Sequence, residues 1–210
     1  MMKELLEQYA QKKEAIKERL RDFKRVWQGD ERDIFAELCF CICTPQSKAV
    51  YCDRAVSGLA ESGALFSGSR EDIREGLKAV RFPNNKAGYI FETRERLTRE
   101  GNIRIKERID EKDIKATRDW LVRNIKGIGY KEASHFLRNI GFGRDLAILD
   151  VHIIKNMLRY GLVDERPVCI SRKCYFELEK KLEGFSRSID IPMDELDILF
   201  WSAQTGTIFK

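Results

Sequence analysis

IKGIGYKEASHFLRNIGFGRDLAILDVH, residues 125–152, is the stretch whose reading decides the fold. Two glycines, Gly127 and Gly129, stand one residue apart between segments of helical character. Glycine permits positive φ and a close backbone approach that any side chain would block. A glycine turn leading into a helix therefore presents backbone N–H groups where a phosphate can sit. Ile125, Ile128, Ala133, Phe136 and Leu137 provide the apolar side that would hold the two helices together across the turn. Lys131 follows in the first turn of the second helix, and Asp150 stands just before the next one. A lysine beside a phosphate, with a carboxylate to assist, can act as a nucleophile with an electrostatic partner. The plainer alternatives are a phosphate-binding lysine and an aspartate that only caps its helix.

The rest of the chain is compatible with that chemistry. The 210 residues suffice for one sizeable domain or two small lobes with cores of their own. Hydrophobic residues at 43% and charged residues at 35% exclude a disordered chain, and no run is apolar enough for a membrane span. A net charge of +5 fits a polyanionic partner without demanding one, since many basic residues stand beside Glu on helix faces. An intracellular, cytoplasmic protein is expected. Cys39, Cys41, Cys43 and Cys52 read as buried thiols, and neither histidine is near a cysteine, which argues against a zinc site.

Helical periodicity runs through the chain. Residues 3–27 form an amphipathic helix broken at Gly29, and Asp30 caps a nearly all-apolar second helix. A third is expected to begin at Pro45 and end near Gly58, and the TPQSK turn between the second and third helices carries Gln46, Ser47 and Lys48 at its start. Ser69 opens a capping box, and Pro83, Asn84 and Asn85 read as a turn before a helix from Lys86 to Leu97. Further helices follow over Asp110–Ile125, Asp150–Tyr160, Ser171–Leu182 (ended by Gly184) and Asp194–Ala203. No segment alternates like a strand. The expectation is an all-α fold of about ten helices.

The pattern Ile-x-Gly-x-Gly-x-Lys-x-Ala, with Asp150 in LDVH, resembles the helix-hairpin-helix of the DNA glycosylases, and its spacing resembles the bifunctional members. CFCICTPQSKA resembles the family's helix and turn bearing a DNA-probing polar residue, here Gln46, and NNKAGYI resembles its Asn-x-Lys-Ala turn. The similarity covers roughly residues 31–210. Only Cys169 and Cys174 occur where related branches carry a four-cysteine iron–sulfur loop, and the chain has no room for the β domain of the eukaryotic-type enzymes. With the ending Ile208-Phe209-Lys210, this is similar to the archaeal-type, or second-family, 8-oxoguanine DNA glycosylase/AP lyase.

The resemblance implies one glycosylase unit with two helical subdomains, about 30–125 and about 1–29 plus 126–210, and the active site in the cleft between them. It implies a monomer acting on double-stranded DNA containing 8-oxoguanine. No cofactor is required and no iron–sulfur cluster is expected, while the backbone carbonyls of the hairpin could hold a monovalent cation. The lesion base must be flipped from the stack, at a cost of roughly a few kcal/mol. Lys131 is the expected nucleophile, forming a Schiff base at C1′ before β-elimination cuts the strand 3′ to the site. An ordinary lysine is protonated at neutral pH, so desolvation or the carboxylate of Asp150 must free its amine.

Candidate base-recognition residues are Lys210, Trp201, His135 and Phe82, and candidate DNA-backbone or intercalating residues are Gln46, Gly127 and Gly129. Lys210 could read N7 or O8 of the lesion, Trp201 could stack on it or be core, and His135 could flank it or be a satisfied helix histidine. Phe82 could line the pocket, wedge into the stack or be core, and Asp194 and Asp197 could be caps or pocket residues. A glycosylase for another damaged base and a non-catalytic DNA-binding module remain as alternatives.

Overall fold

The computed structural model describes residues 1–209; Lys210 lies outside the described residues. The expected all-α architecture is present, with eleven α-helices among the described residues. They are α1 (Met2–Gln28), α2 (Glu31–Cys43), α3 (Ala49–Glu61), α4 (Ala64–Ser67), α5 (Arg70–Gly76), α6 (Pro83–Leu97), α7 (Ile114–Asn124), α8 (Tyr130–Asn139), α9 (Val151–Arg159), α10 (Arg172–Ser188) and α11 (Met193–Thr205). None of these helices is long and apolar enough to cross a membrane.

Several local expectations need correction. A two-residue hairpin, β1 (Thr98–Arg99) against β2 (Asn102–Ile103), turns through Glu100 and Gly101, both at positive φ. Strands this short have no room for an alternating pattern. Residues 45–48 form a turn, so the third helix starts at Ala49 and runs past Gly58. Conversely, Pro83, Asn84 and Asn85 make the first turn of α6 rather than precede it, with proline at N1. Gly184 does not end α10, which continues to Ser188.

The chain packs as two compact units, one of Val26–Phe136 and one of Met1–Arg25 with the residues from Leu137 onward. In Val26–Phe136 the core is built on α2. Asp30 caps its N-terminus by accepting from the Arg32 and Asp33 N–H groups, and every residue from Glu37 to Cys43 is buried. Cys39, Cys41, Cys43 and Cys52 are buried and outside any disulfide, as read from the sequence. Burial pushes the Cys39 and Cys43 thiols well up, so they pack as small apolar groups. Arg94 of α6 is buried and donates to the carbonyls of Ala64, Leu65 and Gly68, which fixes α4 on α6. Ser69 and Asp72 complete the expected capping box on α5.

In the other unit Leu5, Tyr9, Ile16 and Phe23 form the buried stripe of α1. The Tyr9 hydroxyl donates to Glu195 Oε2 at 2.6 Å, and buried Arg138 pairs with Asp197 at 3.3 Å. Tyr160 lies between the rings of Phe185 and Phe200, each centroid 5.6 Å away. Asp194 and Asp197 thus sit in the packed first turns of α11, Asp197 as an ion-pair partner and Asp194 accepting the Glu195 N–H.

Burial raises the Asp194 carboxyl above its ordinary range. The folded protein therefore binds this proton more tightly than the unfolded chain does, and stability is lost as pH rises from the ordinary carboxylate value through the raised one. Asp194→Asn is expected to raise the melting temperature at pH 7–8 and to melt like the parent near pH 3, where both side chains are neutral; melts across that range check the sign.

Candidate active site

The hairpin owes its shape to one backbone position. After α7 ends at Asn124 the chain leaves in extended conformation at Ile125 and reverses through Gly127 at φ +81. Gly127 lies on the Tyr89 ring of α6 so closely that an added Cβ would sit 2.6 Å from Cδ2. Lys126 pairs with Glu92 of the same helix at 2.6 Å, while Ile125 and Ile128 are buried. On the far side, Gly129 accepts the Ala133 N–H at 2.9 Å, opening α8. Tyr130 donates to Asp119 of α7 at 2.9 Å, and buried Arg118 donates to Ser134 Oγ at 3.1 Å. These contacts fix the angle at which α8 leaves the turn.

Lys131 is in the first turn of α8 and half-buried. Its Nζ lies 2.8 Å from Glu132 Oε1, and Glu132 Oε2 accepts the Gly129 N–H at 3.2 Å. One carboxylate therefore holds both the lysine and a donor of the hairpin. The sequence reading passed over Glu132. Its signal was present, since a glutamate three residues after the position that opens a helix is placed to reach back to that position's N–H.

Asp150 is the N-cap of α9. Its Oδ1 accepts the His152 and Ile153 N–H groups, both at 2.8 Å, and among the described residues Oδ2 takes no hydrogen bond. The cap reading is thus correct as far as it goes. It also describes a carboxylate held still by two bonds with one oxygen to spare. Trp201 is half-buried on α11, its ring stacked on Phe209 at 6.2 Å between centroids. Lys210, expected to read the lesion base, is outside the described residues.

Gln46 and Phe82 share an unusual feature: both are non-glycine residues at positive φ, 57° and 58°, and both are exposed. His135 is buried edge-on to Phe40, with ring centroids 5.6 Å apart, which gives it a place in the wall of the core. Gln46, Phe82, Gly127, Gly129, Lys131 and His135 belong to the unit Val26–Phe136, whereas Asp150 and Trp201 belong to the other. Among the described residues no group of three or more His, Cys, Asp or Glu side chains could hold a metal ion. The chemistry on offer is a lysine amine behind a two-glycine turn, a fixed carboxylate, and exposed side chains under backbone strain.

A family model described as 8-oxoguanine DNA glycosylase matches residues 16–191. The 8-oxoguanine DNA glycosylase/AP lyase of Fusobacterium nucleatum is 43% identical over 204 residues, covering 96% of this chain and 94% of that one. The protein of the same name from Methanocaldococcus jannaschii is 37% identical, covering 94% and 93%. The crystal structure of the M. jannaschii 8-oxoguanine glycosylase/lyase in complex with 15mer DNA containing 8-oxoguanine superposes with a TM-score of 0.89 at 35% identity, covering 100% of this chain and 99% of that one. The 8-oxoguanine DNA glycosylase of Thermotoga maritima gives 0.87 at 34%, covering 100% and 98%.

The two hairpin glycines are predicted to differ in tolerance. Gly127→Ala meets both a left-handed φ and the Tyr89 ring and should cost about 2 kcal/mol or more. At Gly129 the new methyl meets only the movable end of Glu132, at 3.2 Å, so Gly129→Ala should cost under about 1 kcal/mol. Urea unfolding of the two variants measures the difference.

Proposed function

The chain belongs to the 8-oxoguanine DNA glycosylase family, and on that premise we propose that Lys131 is its covalent nucleophile and Asp150 its assisting carboxylate. The activity is that of an 8-oxoguanine DNA N-glycosylase with AP lyase activity, acting on double-stranded DNA inside the cell. The observation that carries the assignment of Lys131 is its place in the first turn of α8, directly behind the two-glycine turn.

The hairpin binds the DNA backbone through the N–H groups around Gly127 and Gly129, which places the lysine over the sugar of the extruded nucleotide. The neutral amine of Lys131 attacks C1′. The bond from C1′ to the base breaks, and its electron pair leaves with the base. Opening of the sugar ring then gives an imine between Nζ and C1′. Loss of a proton from C2′ expels the 3′ phosphate oxygen, so the strand is cut by β-elimination without added oxidant or reductant. Asp150 carries a fixed negative charge toward the cationic sugar that develops as the base departs. Before attack Lys131 must give up both a proton and its pairing with Glu132.

Base selection is assigned to Trp201 as the stacking surface and to Lys210 as the reader of N7–H or O8, with His135 as a further member of the wall, while the exposed Gln46 and Phe82 probe the duplex beside the extruded base. The hairpin carbonyls of Ile125 and Gly127, which accept no hydrogen bond among the described residues, fit a monovalent cation that would help neutralise a bound phosphate. The reaction itself uses no other cofactor.

Lys131→Gln should lower strand cleavage of an 8-oxoguanine duplex by about a thousandfold or more, with no cleavage of a guanine duplex by either protein. Asp150→Asn keeps an N-capping oxygen, so stability should change by less than about 0.5 kcal/mol while base release falls about a hundredfold. Equal cleavage of the guanine duplex would refute the lesion specificity. An unimpaired Asp150→Asn would reduce Asp150 to a plain cap.

A further inference from the structure

Two surface turns of the unit Val26–Phe136 are fastened by a single buried ammonium group. Lys86, in the first turn of α6, is 4% exposed, and its Nζ donates to Cys43 O at 2.6 Å, Pro45 O at 2.8 Å and Ser47 Oγ at 3.0 Å. Three acceptors use all three protons of an ammonium. Ser47 Oγ also accepts the Arg81 N–H at 3.1 Å, so the same hydroxyl joins the turn at 44–48 to the turn at 80–83. Burial pushes the Lys86 amine below the ordinary lysine range, and the three oxygens offset the cost of placing an ion there.

What these turns display is under strain. Gln46 at φ 57° and Phe82 at φ 58° both occupy the left-handed region without being glycine, and Phe82 also precedes a proline. Each such residue costs about 1–3 kcal/mol and persists only where its surroundings over-determine it. Gln46 sits between two of the three Lys86 acceptors, Pro45 O and Ser47 Oγ, and Phe82 directly follows the residue bonded to Ser47. Both side chains nevertheless face outward, Phe82 being 49% exposed. A buried ion is a costly way to hold a loop, and it is spent here on two exposed side chains held in unfavourable backbone geometry.

We propose that Lys86 is a positioning residue for base extrusion, locking the two turns, through Ser47, into one rigid edge that presents Gln46 and Phe82 to the duplex. The proposal rests on the reading of Gln46 and Phe82 as DNA-probing residues. Side chains that fill the gap left by an extruded base must resist the closing stack, and a turn free to relax from left-handed geometry would yield instead. Lys86 acts only through those side chains.

The test is borohydride trapping on two duplexes, one carrying 8-oxoguanine and one a preformed abasic site, where no base has to be extruded. Lys86→Met should lower the ratio of lesion trapping to abasic trapping about tenfold or more, with Ser47→Ala moving it the same way by less. In a Gln46→Ala/Phe82→Ala background, Lys86→Met should lower the ratio no further. An unchanged ratio, an equal loss on both duplexes, or a full additional loss in that background would overturn the proposal. If Lys86→Met does not fold, Ser47→Ala carries the comparison alone. A wild-type protein that traps neither duplex would overturn the glycosylase/lyase reading as well, and is distinguishable because it fails before any variant is compared.

Discussion

Gly127 lies against the Tyr89 ring with no room for a side chain between them, and the placement of Lys131 depends on that contact. The left-handed turn lets α7 and α8 diverge at a fixed angle, and the ring fixes the turn on α6. Lys126 with Glu92, and Tyr130 with Asp119, fasten its two sides. The same α6 carries Lys86 at its first turn. One helix thus supports both the two-glycine hairpin and the edge that bears Gln46 and Phe82. A displacement of this helix would move the hairpin and the two strained turns together.

The charged groups assigned to the proposed mechanism stand at helix beginnings. Lys131 is in the first turn of α8 and Asp150 caps α9. A helix N-terminus favours negative charge, so it supports the Asp150 carboxylate and a bound phosphate, while it disfavours a cation in the first turn of α8. Glu132 provides the compensating charge there at 2.8 Å and caps the Gly129 N–H with its other oxygen. The free protein therefore keeps Lys131 paired, and on the proposed mechanism substrate binding has to disturb that pair before chemistry begins.

Much of this was legible in the sequence, for identifiable reasons. The helices with continuous apolar stripes, such as α1 with Leu5, Ile16 and Phe23, follow from their period. The caps at Asp30, Ser69 and Asp150 follow from residue type and position. Gly127 announces a conformation that other residues resist. The hidden parts depend on partners distant in the chain. Nothing local marks Lys86 as an ion bound by oxygens roughly forty residues earlier, or Phe82 as left-handed. Strands of two residues cannot show a period, and Gly184 failed as a stop because helix packing elsewhere on α10 outweighs the propensity of one glycine. His135 illustrates the opposite case: its spacing places it one turn after Lys131, and only the fold reveals that its ring packs on Phe40.

The central claim is that one particular amine forms the covalent intermediate. Reduction of the intermediate with borohydride on an 8-oxoguanine duplex, followed by digestion and tandem mass spectrometry, identifies the modified nitrogen directly. The account predicts a single deoxyribose adduct on Nζ of Lys131. An adduct on Lys86, on the N-terminal amine or on any other lysine would contradict it, as would the absence of an adduct in a preparation that releases the base.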